Sequence, residues 1–296
     1  QNYTGDTSSA ASDVYKRQAL PIIYLLAALL TWACSDNGAT AGALPVFAWC
    51  ALLAFGLQWL AFVPAYRYQT EKYYDLTGSI TYISCMALAL ALSGPVDARS
   101  LLLAACVLVW AARLGSFLFA RIQQDGSDSR FDAIKPNPLR FFLTWSLQGL
   151  WVLLTAAAAL AAISAGEDVA LTLVDAIGAG LWLLGFAIEA IADRQKRVFR
   201  AAAGSGEFIQ TGLWSRSRHP NYFGEILLWF GVAILALPAL QGWQLATLIS
   251  PLFVYLLLTR VSGVPLLEKK SDKKWGGQVE YEAYKARTPV LLPKLF

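Results

Sequence analysis

Histidine and methionine each occur once in the 296 residues, and cysteine occurs four times. A single imidazole argues against a histidine-built zinc or di-iron site. Cys34, Cys50, Cys85 and Cys106 fall in or beside apolar runs, so they read as packing residues, with neither a disulfide framework nor a metal motif. Charge is scarce as well. Only 15% of the residues are charged and 57% are hydrophobic, where a soluble domain carries about 25% charged residues. The net charge of +4 has no soluble basic module to sit on, so it gives no sign of nucleic-acid binding.

What the chain has in abundance is apolar runs. A membrane-crossing helix needs about 17–25 such residues. The runs read as Ala19–Cys34, Leu44–Tyr66, Leu76–Ser93, Ser100–Phe119, Leu139–Ile163, Leu171–Ile191, Tyr222–Leu237 and Trp243–Thr259. With eight spans, nearly all lysines and arginines fall on the side that also holds both termini. The short opposite-side connections carry Asp36, Asp97, Glu167 and Asp168, with Arg99 also there and Asp175 just beyond. Basic residues favour the cytoplasmic side, so both termini are expected there, with the bacterial inner membrane as the host. The fold class expected is all-α, a polytopic integral membrane protein. Residues 1–18 are polar and are set aside as a disordered, cloning-derived or translation-derived leader. Residues 19–66 make N-terminal membrane helices, and residues 67–296 make the main membrane domain with cytoplasmic loops and tail.

Polar groups concentrate at a few places. The stretch from Gly212 to Glu225 holds the lone His219 with Arg216, Arg218, Asn221 and Tyr222. Pro220 suits the first position of a helix, which puts Asn221 and Glu225 one turn apart on one face. The exposed N–H groups of that first turn favour an anion. Upstream, Glu189 and Asp193 lie four apart near the end of the sixth run, and Arg197 and Arg200 continue along that side. A carboxylate at membrane depth is costly unless it pairs or faces a polar pocket. The same applies to Arg113, inside the fourth run, for which Asp75 is the natural partner. Tyr73, Tyr74 and Asp75 form a second polar group, in which Asp75 serves either as a proton donor or as a counter-ion. Arg260 ends the last run. In the tail, Tyr281 and Tyr284 are spaced to lay both rings at the membrane interface from one short helix.

Gly212-Leu213-Trp214, His219-Pro220-Asn221-Tyr222-Phe223-Gly224-Glu225 and Arg260-Val261-Ser262-Gly263-Val264-Pro265-Leu266-Leu267-Glu268-Lys269 together resemble the steroid 5α-reductase family. More closely, they are similar to its bacterial branch of unknown function. The resemblance runs from about Tyr66 to Phe296 and implies a seven-helix reductase-like bundle plus one extra N-terminal helix. It implies NADPH as cofactor, held by Arg113, Glu189, Asp193, Arg200, Asn221, Glu225 and Arg260. Arg197, His219 and Tyr222 are added to that cofactor set from their position beside these residues. It further implies reduction of a carbon–carbon double bond conjugated to a carbonyl in a steroid-like or other lipid substrate.

Two departures stand out. The glutamine–glutamate pair of the reductases falls at Tyr74-Asp75, and their catalytic tyrosine falls at Trp110, whose indole donates a hydrogen bond but transfers no proton. Asp75, with Tyr74 or Tyr73, is therefore expected to supply the acid. The Arg218-His219-Pro220-Asn221-Tyr222-Phe223-Gly224 turn also resembles membrane isoprenylcysteine and phospholipid methyltransferases, which use S-adenosylmethionine. Glu268-Lys269-Lys270 stands where those enzymes carry paired glutamates. A non-catalytic lipid-binding or transport protein is the third alternative, although no internal repeat marks a transporter.

Overall fold

In the computed structural model, residues 4–166, 169–203 and 206–294 are described. Glu167, Asp168 and Gly204 lie outside them. Among the described residues the chain is all-α apart from a two-residue hairpin, Thr40–Ala41 paired with Leu44–Pro45. Seven helical stretches among the described residues are long and apolar enough to cross a membrane, and a shorter apolar helix, Gln18–Cys34, precedes them. The chain divides into two compact units.

The first unit comprises residues 1–170 and 236–248. It holds α1 (Thr4–Cys34), α2 (Val46–Arg67), α3 (Tyr74–Leu92), α4 (Ala98–Asp125) and α5 (Pro138–Ser164). The hub is α5: 83% of its apolar window is buried, against 33–39% for α2, α3 and α4. Its second half is an alanine run, Ala156 to Ala162, buried throughout, and small side chains let neighbouring helices approach closely. Its start is set by Pro138 and by Asn137, whose side chain accepts from the Arg140 N–H at 2.9 Å. Arg99, expected in an opposite-side loop, belongs instead to the first turn of α4. It is 1% exposed and donates to the Val169 and Ala170 carbonyls, tying the chain after α5 to the start of α4.

The second unit comprises residues 171–235 and 249–296. It holds α6 (Leu173–Ala203), α7 (Pro220–Ala236), α8 (Ser250–Leu256), α9 (Val264–Trp275) and α10 (Val279–Arg287). Glycine sets the α6–α7 packing. Gly178 and Gly185 on α6, and Gly224 and Gly231 on α7, are each seven residues apart. A Cβ on any of the four would lie 2.5–2.9 Å from backbone atoms of the other helix. The backbones are therefore in direct contact, antiparallel, and this fixes which residues stand level. The eighth apolar run is not one regular helix. It passes from a 3₁₀ stretch, Gly242–Ile249, through α8 into a π-helical turn, Leu257–Val261, and Gly263 then leads into α9.

Candidate functional site

The glycine register brings α6 carboxylates beside the start of α7. A Cβ on Gly224 would lie 2.6 Å from the Glu189 backbone nitrogen, so Glu189 stands level with the turn carrying Asn221. Asp193, one turn further along α6, points the same way. Glu189 is 2% exposed and Asp193 7%. Arg197 and Arg200, continuing that helix, are exposed. The face therefore divides into buried acceptors followed by exposed cations. Asn221 adds a carbonyl oxygen, Oδ1, that is buried without a hydrogen-bond partner. Glu225, four residues on, shares its face. Arg260 is exposed on the π-helical turn, an irregularity frequent at functional sites.

The connection into α7 is tied down on both sides. Gly212 has φ +62°, and a Cβ there would collide with the Gln195 side chain, whose Oε1 accepts from the Leu213 N–H at 3.0 Å. The Trp214 indole donates to the Ala192 carbonyl at 3.1 Å, and Lys196 lies 4.4 Å from its ring centroid. The tail fastens the other side. The Arg218 N–H donates to the Pro289 carbonyl at 2.9 Å and Ser217 Oγ to the Leu291 carbonyl at 2.8 Å. Tyr281 and Tyr284, expected at the membrane interface, are instead buried. Both rings pack on Phe208, with the Tyr284 hydroxyl donating to the Trp214 carbonyl at 2.7 Å and the Tyr281 hydroxyl to Asp272 at 3.0 Å. Aromatic area outweighs interfacial preference here because Phe208 supplies a third ring.

His219 takes its partner from α9. Its Nε2 lies 2.8 Å from Glu268 Oε1, and the Arg218 guanidinium lies 2.8 Å from the other carboxylate oxygen. Burial holds the imidazole below its ordinary pKa despite the opposing pull of Glu268. A neutral ring whose Nε2–H donates a hydrogen bond to the carboxylate presents Nδ1 as a bare acceptor, and that atom is buried without a partner. The Tyr222 ring stacks on the imidazole at 5.7 Å. Sequence reasoning missed the pairing of Glu268 with His219 and of Gln195 with Leu213, since each closes across a long gap in the chain. The paired glycines, spaced by seven on both helices, were the readable signal for the α6–α7 contact.

The remaining predicted residues belong to the first unit. Asp75 lies 4.0 Å from Arg121, two turns beyond Arg113, with both side chains partly exposed. Arg113 rests over the Phe117 ring at 5.8 Å. Tyr73 is exposed and stacks on Phe119 at 6.0 Å. Tyr74 is buried among Phe131, Phe141 and Trp145, and its hydroxyl donates to the Thr144 carbonyl at 3.0 Å. Trp110 is buried and meets Tyr82 edge-on at 5.1 Å. Nearby loops are pinned by Glu71, which pairs with Lys135 at 2.6 Å and accepts from the Asp128 N–H at 2.7 Å. Among the described residues no cluster of His, Cys, Asp and Glu is arranged to hold a metal ion.

One curated relative, 3-oxo-5-alpha-steroid 4-dehydrogenase 1 of Macaca fascicularis, is 32% identical over 121 residues, covering 40% of this chain and 41% of the relative. The chain thus spans about two fifths of the length of that relative. No solved structure matches. The family described as "Protein of unknown function (DUF1295)" matches residues 61–288, which contain α6, α7, α9 and α10, and the chain belongs to this steroid-reductase-like family.

Proposed function

We propose that the protein is an NADPH-dependent membrane oxidoreductase that reduces a carbon–carbon double bond conjugated to a carbonyl in a steroid-like or other lipid substrate. The observation that carries the reading is the pairing of buried acceptors with exposed cations along α6 and the start of α7. Ribose hydroxyls and a nicotinamide amide are donors, and they suit Glu189, Asp193, Glu225 and the unpartnered Asn221 Oδ1. Phosphates suit Arg197, Arg200 and Arg260, exposed in water. The His219 Nδ1 acceptor and the stacked Tyr222 ring extend the same surface. The relative's name supports a steroid-type chemistry.

When bound, NADPH supplies the hydride. The chain's own part is to orient the cofactor through α6 and α7 and to polarise the substrate carbonyl with a proton donor. Asp75 is the residue proposed for that donor, with Arg121 beside it tuning its charge. Tyr73 is the second choice, because the Tyr74 hydroxyl proton is already committed to Thr144. Arg113 is proposed as a further cofactor cation. The segregation of basic residues supports a cytoplasmic placement of both termini and of the cofactor face.

The test is titration of the full chain in detergent with NADPH, NADH and S-adenosylmethionine, read by energy transfer from tryptophan to the nicotinamide and by calorimetry. NADPH binding that is lost in Asn221→Ala and Arg200→Ala is expected. Binding of S-adenosylmethionine with none of NADPH would replace this reading by a methyltransferase, and binding of neither would leave a non-catalytic lipid protein.

A further inference from the structure

The last apolar run ends on the π-helical turn Leu257–Val261, and Gly263, at φ −80° and ψ −92°, then leads the chain into α9. Four lysines follow within six residues of that helix, Lys269, Lys270, Lys273 and Lys274, and all four are exposed. At about 100° per residue they occupy an arc of about 140°, with Leu266 between them. Glu268, Asp272 and Trp275 lie on the opposite side, and each is engaged within the second unit. Glu268 holds Arg218 and His219, each at 2.8 Å. Asp272 Oδ1 accepts from the Tyr281 hydroxyl at 3.0 Å and from Lys285 at 2.6 Å. The Trp275 indole donates to the Gly206 carbonyl at 2.8 Å, and its ring meets Phe208 at 5.8 Å. The helix is therefore two-sided, with its acids and its tryptophan inward and its lysines outward.

Among the described residues, Lys269, Lys270 and Lys273 enter no ion pair, and Lys274 rests over the Trp275 ring at 4.7 Å. Cations set so close repel one another, and an anionic surface relieves that repulsion. Position decides which anion they meet. Val261, at the end of the span, is 64% exposed, and Leu266, on the lysine side of α9, is 47% exposed. Apolar side chains thus flank the lysines where the chain leaves the membrane. From Val264 to Lys269 the helix rises about 8 Å, at 1.5 Å per residue, which is about one Debye length at physiological salt. Head groups at the end of the span are within electrostatic reach. A soluble acidic partner would match the charge alone, whereas the bilayer also matches Leu266 and the apolar lysine stems.

We propose that the lysine face of α9 docks on anionic phospholipid head groups of the bilayer that the chain spans. Each lysine at such a surface favours the docked helix by about fivefold, and salt screens the attraction. Docking on one side of α9 also braces Glu268 on the other, and with it the Arg218–His219 pair. The inference is independent of the cofactor reading, since it needs no ligand at the start of α7.

Hydrogen exchange of the full chain in lipid nanodiscs, read by mass spectrometry over peptides covering α9, tests the proposal. The discs contain phosphatidylcholine alone or an equal mixture of it with phosphatidylglycerol. Exchange in α9 is expected to slow about tenfold or more in the anionic discs, with peptides of α5 unchanged. Salt at about 1 M, where the Debye length is about 3 Å, is expected to erase the difference. Combining Lys269→Gln, Lys270→Gln, Lys273→Gln and Lys274→Gln is expected to erase it at low salt, with the melting temperature retained because all four side chains are exposed. The pair Lys269→Gln and Lys273→Gln is expected to lose part of the protection, and it carries the test if the fourfold variant does not fold. Equal exchange in the two discs, a slowing that persists at high salt, or one that the lysine variants retain in full would overturn the proposal. Slowing by soluble polyglutamate in neutral discs, with none from phosphatidylglycerol, would overturn it in favour of an acidic protein partner.

Discussion

Gly185 of α6 and Gly224 of α7 meet backbone to backbone. A Cβ on either would lie 2.6 Å from the carbonyl oxygen of the other. Neither helix can yield there without carrying Glu189 away from the turn that bears Asn221. Gly224→Ala is therefore expected to destabilise the protein by about 1–3 kcal/mol through overpacking and to weaken NADPH binding with it. Gly180→Ala, on the same helix with nothing within 4 Å of its Cβ position, is expected to gain about 0.5–1 kcal/mol from helix propensity. Thermal unfolding in detergent reads both, and equal effects from the two would contradict the packing argument.

Glu268 joins Arg218 and His219 to α9, so its loss leaves a cation and an imidazole together without their anion. Glu268→Ala is expected to cost about 1.5–3 kcal/mol, the range for hydrogen bonds to charged groups. Glu268→Gln, which keeps an acceptor for one partner, is expected to cost about half as much. Both variants are expected to weaken cofactor binding more than Lys269→Ala, because Lys269 neighbours Glu268 in the chain without joining the pair.

The helices were legible in the sequence because each is an apolar run of spanning length, and the runs at residues 44–66 and 139–163 fall within three residues of α2 and α5 at either end. The mixed 3₁₀, α and π character of the last run was not legible. Gly242, Pro251, Gly263 and Pro265 announce breaks, but which helix type follows depends on packing. Glu189, Asp193 and Asn221 stand out as candidates because carboxylates and amides are rare among apolar neighbours. The Glu268–His219 pair was not, since it closes across 49 residues and local spacing carries no trace of it. The anchoring of Tyr284 on Trp214 was hidden for the same reason. Arg121 beside Asp75 was missed because depth in the membrane drew attention to Arg113.

Acidification is expected to loosen the second unit through His219. Burial depresses its pKa from the ordinary 6.5, so the folded state favours the neutral ring. The unfolded chain takes up the proton first as pH falls. The stabilisation is thus fully present above the unfolded value of 6.5 and is lost as pH drops through the lower folded value. Melting temperature followed from neutral pH downward is expected to fall more steeply for the natural chain than for His219→Gln, which has no group titrating there. A parallel decline in the two would assign the acid sensitivity elsewhere.

Asp75 and Tyr74 are neighbours in sequence with different surroundings, and their variants are expected to separate accordingly. The Tyr74 hydroxyl serves the Thr144 carbonyl inside an aromatic cluster. Tyr74→Phe removes that donor, at a cost of about 1 kcal/mol in stability with turnover retained. Asp75 has a carboxylate that is partly exposed beside Arg121. Asp75→Asn cannot deliver a proton, so its substrate-dependent NADPH oxidation is expected to fall about 10²–10⁴-fold, the usual contribution of a general acid. NADPH affinity and melting temperature should then stay near those of the natural chain. If Tyr74→Phe silences turnover and Asp75→Asn does not, the proton comes from the phenol, and Asp75 is left as the counter-ion of Arg121.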